Sequence, residues 1–173
     1  MHIVLHNPEI PQNTGNIGRT CVATNSVLHL IEPLGFKLNE KEIKRSGMDY
    51  WEHLAVHRHI NYEAFEAWYR KEVPKGRIFF TTTKAHAVYT EVVYGEDDAL
   101  VFGAESAGIP EEILVAHEKD CVRVPMMDKA RSLNVSNTVA VVLYEALRQQ
   151  GFDGLQTAGE LHRLQWTSGD KRL

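Results

Sequence analysis

Short apolar runs alternate with amphipathic stretches along the first 150 residues. Residues 1–6 (MHIVLH) are apolar and rich in β-branched side chains and predict a first strand. Pro8 and Pro11 make residues 7–12 an irregular loop. Within residues 13–25 (NTGNIGRTCVATN), Ile17, Cys21 and Val22 begin a helical face. Residues 27–31 (VLHLI) predict a second strand, ended by Glu32-Pro33. Residues 37–45 carry mixed charge and predict a short surface helix. Further strands are predicted over 54–60, 77–83 (RIFFTTT), 99–102 and 121–124. Helices are predicted over 62–73, with Phe65, Trp68 and Tyr69 as its core stripe, over 111–117, and from Asn134 to about Gln150. Strands alternating with helices in this way predict an α/β fold, a mostly parallel sheet flanked by helices.

The stretch 122–150 changes character twice. A strand end gives way to a polar loop over 126–134, and then to a helix that Asn134 or Ser136 can cap. In α/β proteins, ligands sit where a strand end faces an open helix N-terminus. The helix is apolar on two sides. Val135, Val139, Val142, Leu143 and Ala146 share one side, and Ala140, Val141, Tyr144 and Leu147 cover much of another. It therefore needs two burying surfaces. One is its own sheet. The residues alone leave the other open between the core of a monomer and a second subunit.

Composition narrows the class. At 173 residues and 43% hydrophobic, the chain suits one domain with a real core, over residues 1–151, followed by a polar tail, 152–173, with a short helix over 158–165. No apolar run approaches a membrane span, and the N-terminus has neither a basic leader nor an apolar signal core. Cys21 and Cys121 lack any paired spacing, which suggests free thiols in a reducing cytoplasm. A net charge of −4 argues against coating nucleic acid by charge alone, but leaves room for a local basic cleft, with Arg19, Lys84, Arg131 and the patch of Lys41, Lys44 and Arg45 as candidates. Of the nine histidines, the run His57-Arg58-His59 is densest. Neighbours on a strand point to opposite faces, so a solvated face and no metal site are expected there.

Several strand ends deliver loops of related chemistry. Residues 81–84 offer hydroxyls and a cation, 103–108 place glycines around Glu105 and Ser106, and 124–134 offer Ser132 and Asn134. A parallel sheet gathers such loops on one edge, and Gly103 would admit a flat ligand against the backbone. GNIG is not the dinucleotide fingerprint, and GAESAG lacks the Lys-Ser/Thr of a phosphate-binding loop.

The combination NTGNIGRTC, VFGAESAGIP and RVPM…SLNVSNTVAVVLYEALRQ, in this order within one domain, resembles the SPOUT, or trefoil-knot, RNA 2′-O-ribose methyltransferases. IVLHNPEIPQNTGNIGRTC and IEPLGF narrow it to the small tRNA wobble-position enzymes, which act on cytidine or 5-carboxymethylaminomethyluridine at position 34 and lack an added RNA-binding domain. The resemblance implies a C-terminal knot, a homodimer with the last long helix in its interface, and the tRNA anticodon loop as substrate. It also implies S-adenosylmethionine as methyl donor, S-adenosylhomocysteine as product, and no metal. Cofactor contacts would fall on Thr81, Gly103, Val124, Ser132 and Leu133. The polar residues of the family motifs fall on Asn13, Arg19, Glu105, Ser132 and Asn134. Arg19 is the candidate for activating the hydroxyl. A guanidinium rarely gives up its proton, so its expected part is to fix a phosphate and polarise the hydroxyl. Glu105 is expected to hold the segment carrying Asn13 and Arg19. The rival readings are a 2′-O-methyltransferase for another tRNA or rRNA site, and a non-catalytic RNA-binding module.

Overall fold

A computed structural model describes residues 1–37 and 49–166 of the chain. Lys41, Lys44 and Arg45, the core of the predicted basic surface helix, lie outside the described residues. In chain order the elements are β1 (His2–His6), α1 (Pro11–Ala23), β2 (Val27–Ile31), β3 (Val56–His59), α2 (Tyr62–Glu72) and β4 (Ile78–Thr81). They continue with β5 (Ala87–Val88), β6 (Ala99–Phe102), α3 (Glu111–Ala116), β7 (Cys121–Arg123) and α4 (Val135–Gln149). The strands form a sheet in the order β3-β2-β1-β6-β4-β7-β5, and each pairing is parallel.

Period-two alternation splits the core between the two faces of this sheet. In β6, Leu100 and Phe102 pack on one face with Ile17 and Cys21 of α1 and Val139, Val142, Leu143 and Ala146 of α4. Ala99 and Val101 pack on the other with Phe65 and Tyr69 of α2 and Leu114 of α3. Strands buried on both faces read as unbroken apolar runs, as ALVF does.

Some boundaries differ from the sequence reading. Helix α1 begins at Pro11, inside the stretch expected to be an irregular loop. Proline suits a first helical position, where its missing N–H is not needed and its φ is already helical. Strand β4 stops at Thr81, so Thr82 and Thr83 leave the sheet. The two-residue β5 is too short to show a period. The expected tail helix over 158–165 does not form. That segment is exposed throughout, so it has no buried apolar face to stabilise a turn, whereas Phe152 and Leu155 just before it do pack on the core.

The expected solvated histidine face is half right. His57 is exposed, but His59 is buried, although both lie on one face of β3 and stack on His29. His2, His29 and His59 come from three adjacent strands and form one hydrogen-bonded row. His2 Nδ1 lies 2.9 Å from His29 Nε2, and His29 Nδ1 lies 3.0 Å from His59 Nε2. The ring of His57 stacks on His29 with centroids 5.1 Å apart.

Each contact needs one donor and one acceptor, so two added protons would set N–H against N–H somewhere in the row. Burial lowers the His29 pKa to about 2 and that of His2 to about 4, and lowers His59 as well. These folded values lie below the unfolded value of about 6.5. The native row therefore excludes protons that the unfolded chain takes up. Its stability is fully present above about pH 6.5 and is lost as the pH falls below that value, by about 1.4 kcal/mol per pH unit for each excluded proton. The urea midpoint is expected to drop between pH 7 and pH 5, and His29→Gln to flatten the drop. A midpoint unchanged over that range contradicts a neutral row.

Candidate active site

The carboxyl ends of β4, β6 and β7 open on one edge of the sheet, as their parallel direction requires. There, residues 81–84, 102–109 and a set between Val124 and Thr138 enclose a cavity of about 540 Å³, with Ile10 and Asn13 at its side. That is within the ~300–1,000 Å³ usual for small-molecule sites. Thr81, Gly103, Val124, Ser132 and Leu133 all line it, as do Asn13, Glu105 and Asn134. Sequence reasoning passed over Ile10, Val135 and Thr138, which line it too. Their only signal was their place beside Asn13 and Asn134.

A chain of hydrogen bonds ties two of these segments, 102–109 and the one ending at Thr138, together through the start of α1. Asn134 is the N-cap of α4. Its Oδ1 accepts from the Ser136 amide at 2.9 Å and from the Ser136 hydroxyl at 2.6 Å. Its Nδ2 donates to Asn13 Oδ1 at 3.0 Å, and Asn13 Nδ2 donates to Glu105 Oε1 at 3.0 Å. Each carboxamide thus uses its oxygen as acceptor and its nitrogen as donor, which fixes both orientations. The Glu105 carboxylate also takes the amides of Glu9 at 2.8 Å and Ile10 at 3.3 Å. It sits at the N-terminus of α1, which has no acidic residue in its own first turn. A negative charge is favourable at that end of a helix dipole. Residues more than ninety apart in sequence are joined by these charge-assisted bonds.

Gly103 has a different use from the one expected. A Cβ there would collide with the Ile109 amide nitrogen and the Gly108 carbonyl carbon. The glycine is required because the loop 104–108 folds back onto it, closed by the Gly108 amide donating to Ala104 O at 2.9 Å. Its own loop, not a ligand, fills the space beside it.

Thr81 Oγ1 is buried and has no hydrogen-bond partner. Lys84, a candidate for the basic cleft, pairs with Glu111 at 2.6 Å, and that ammonium holds the Glu111 carboxyl below its ordinary pKa. Both are exposed, so the pair contributes little to stability. Arg131 lines the cavity. Arg19 does not. It lies six residues beyond Asn13 on α1, about 9 Å along the axis, and on the exposed side. Within one chain, the arginine and the cavity are not brought together.

Residues 1–144 match the SpoU rRNA Methylase family. The chain belongs to this family. Among relatives of the SpoU methylase chain, the tRNA (cytidine(34)-2′-O)-methyltransferase of Saccharophagus degradans is 48% identical over 154 residues, 88% of this chain and 97% of its own length. A solved structure from work on 2-OH methylation of C/U34 on tRNA is 41% identical with a TM-score of 0.79, covering 87% of this chain and 96% of that one. The AdoMet-bound rRNA methyltransferase of Sinorhizobium meliloti is 25% identical with a TM-score of 0.73, covering 85% of this chain and 55% of that one. No described helix is long and apolar enough to cross a membrane, and no described cluster of side chains could hold a metal ion.

Proposed function

We propose that the chain transfers a methyl group from S-adenosylmethionine to the ribose 2′-hydroxyl of the tRNA wobble nucleotide, cytidine or 5-carboxymethylaminomethyluridine at position 34. The observation that carries this reading is the joining of the 102–109 loop, the start of α1 and the N-terminus of α4, through Glu105, Asn13 and Asn134, beside one cavity in a chain so similar to a tRNA (cytidine(34)-2′-O)-methyltransferase.

The cavity suits the cofactor. Its volume fits a nucleoside-sized ligand, and Thr81 offers an unused hydroxyl. Thr81, Gly103, Val124, Ser132 and Leu133 would hold S-adenosylmethionine, with the segment 124–134 threaded as the knot of the family. When bound, the cofactor supplies an electrophilic methyl on a sulfonium. The protein's own work is alignment of the hydroxyl and custody of its proton. Asn13, Ser132 and Asn134 orient the ribose, Glu105 locks Asn13, and Arg19 holds the adjacent phosphate and polarises the hydroxyl.

Arg19 can do this only from a second protomer. The homodimer we propose buries the outer face of α4, where Val141 is 38% and Tyr144 45% exposed, together with its neighbour α1. Arg19 would then reach the partner's cavity. Buried Cys21 and Cys121 as free thiols suit the cytoplasm, where tRNA is modified.

Arg19→Lys tests the arginine's part. The charge stays and the planar fork goes. Turnover is expected to fall by about a hundredfold, while cofactor affinity stays within about twofold, since the part assigned to Arg19 is with the phosphate and hydroxyl of the RNA rather than with the cofactor. Turnover near that of the parent chain excludes both phosphate fixing and polarisation by the fork.

A further inference from the structure

Two stretches have no part in the site so far: the acid of NPEIP, and the IEPLGF segment after β2. They meet at Glu9. The Glu9 carboxylate accepts from the Ser106 amide at 2.9 Å and from the Ser106 hydroxyl at 2.6 Å. In return, the Glu9 amide donates to Glu105 at 2.8 Å. Each loop thus contributes an acidic side chain that grips the other loop. Behind Glu9, the Gly35 amide donates to Pro8 O at 2.9 Å, and a Cβ on Gly35 would lie 2.8 Å from Glu9 Cα and 3.0 Å from Glu9 O. The turn after β2 is pressed flat against the back of the Glu9 segment, and only glycine permits that distance.

We infer that Glu9 is a positioning residue for the methyl transfer: its clasp on Ser106 fixes the 103–108 wall of the cofactor cavity, with Gly35 as its backstop. The inference rests on the proposed reading of that cavity. Glu9 itself does not line the cavity, whereas Ser106 and Glu105 do. It therefore acts through them. A carboxylate is the side chain suited to the place, because Ser106 presents two donors and a carboxylate offers two acceptor oxygens. Glutamine can take the Ser106 amide on its oxygen, but its NH2 must then donate to the hydroxyl oxygen, so it keeps the shape of the clasp and loses the charge. Alanine keeps neither. The Glu9 amide still meets Glu105 in every variant, so the loop stays attached while its far side loosens. Cofactor affinity and turnover should then suffer more than global stability.

The test uses the full chain, with calorimetric titration of S-adenosylmethionine and single-turnover methyl transfer to tRNA. Glu9→Ala is expected to weaken cofactor binding by about tenfold, Glu9→Gln by less, and the double variant with Ser106→Ala no further than Glu9→Ala alone, since both remove one contact. Gly35→Ala should reproduce the loss by displacing Glu9. Thermal midpoints of the Glu9 variants should stay within a few degrees of the parent. If Glu9→Ala does not fold, Glu9→Gln and Ser106→Ala carry the test, each expected to weaken binding measurably. Affinity and turnover within twofold of the parent in the folded variants overturn the inference. A parent chain that fails to bind S-adenosylmethionine removes the cavity reading and the inference together, and so is distinguishable from failure of the inference alone.

Discussion

Glu105→Ala is expected to lower single-turnover methyl transfer by at least about a hundredfold, because a displacement near 1 Å at a reacting centre costs about that much. The carboxylate accepts from the amides of Glu9 and Ile10 and from Asn13 Nδ2, all within 3.3 Å. Its removal takes the shared acceptor from three donors. Asn13 is then held only by Asn134, and the side chains set to orient the ribose lose their link to the β6 loop. Hydrogen bonds to a charged group contribute about 1.5–3 kcal/mol each, and less where solvent reaches them, so the thermal midpoint should fall as well. Glu105→Gln separates charge from shape. One amide-bearing half of glutamine must face a donor, so an intermediate loss is expected. Full turnover in Glu105→Gln would reduce Glu105 to an exposed loop acid with no part in the reaction.

Gly103→Ala is expected to abolish measurable binding of S-adenosylmethionine. The new methyl would strike backbone atoms of Gly108 and Ile109, and Ile109 Cγ1 lies 2.8 Å from its position. Backbone atoms cannot step aside without moving the loop, and that loop is a cavity wall. Overpacking of this kind costs about 1–3 kcal/mol even in cores that can adjust. Gly108→Ala is the control. Gly108 has φ +75°, and nothing lies within 4 Å of a Cβ there, so the cost is about 1–2 kcal/mol of backbone strain. Equal affinity in the Gly103→Ala chain and its parent would show that the loop is not part of the cofactor site.

Most of the architecture was legible in the sequence because parallel strands leave a strong local signature. VLHLI and ALVF read as strands, and both are strands at those residues. Asn134 read as a possible cap because it stands between a polar loop and an apolar helix, and it is the cap. The gathering of loops at 81, 103 and 124 follows from strand direction alone. What was hidden depends on register between distant segments. His29 meets His59 only because β2 and β3 pair with His29 opposite His57. Glu9 meets Ser106 across 97 positions of sequence. Gly103 looked like room for a ligand, since a one-residue pattern cannot tell a loop folding back from a ligand coming in. Arg19 does not line the cavity of its own chain, because Gly15 and Gly18 sit inside α1 rather than in a loop, and the helix carries Arg19 away from Asn13 on its exposed side.

The most direct test supplies tRNA lacking wobble-ribose methylation, the full-length chain and S-adenosylmethionine labelled in its methyl group, and then maps the label by nucleoside digestion. The expected result is label on the 2′-oxygen of nucleotide 34, lost in Glu105→Ala. Label on a base, label at another position, or no transfer by a chain that binds the cofactor would contradict the proposed reaction.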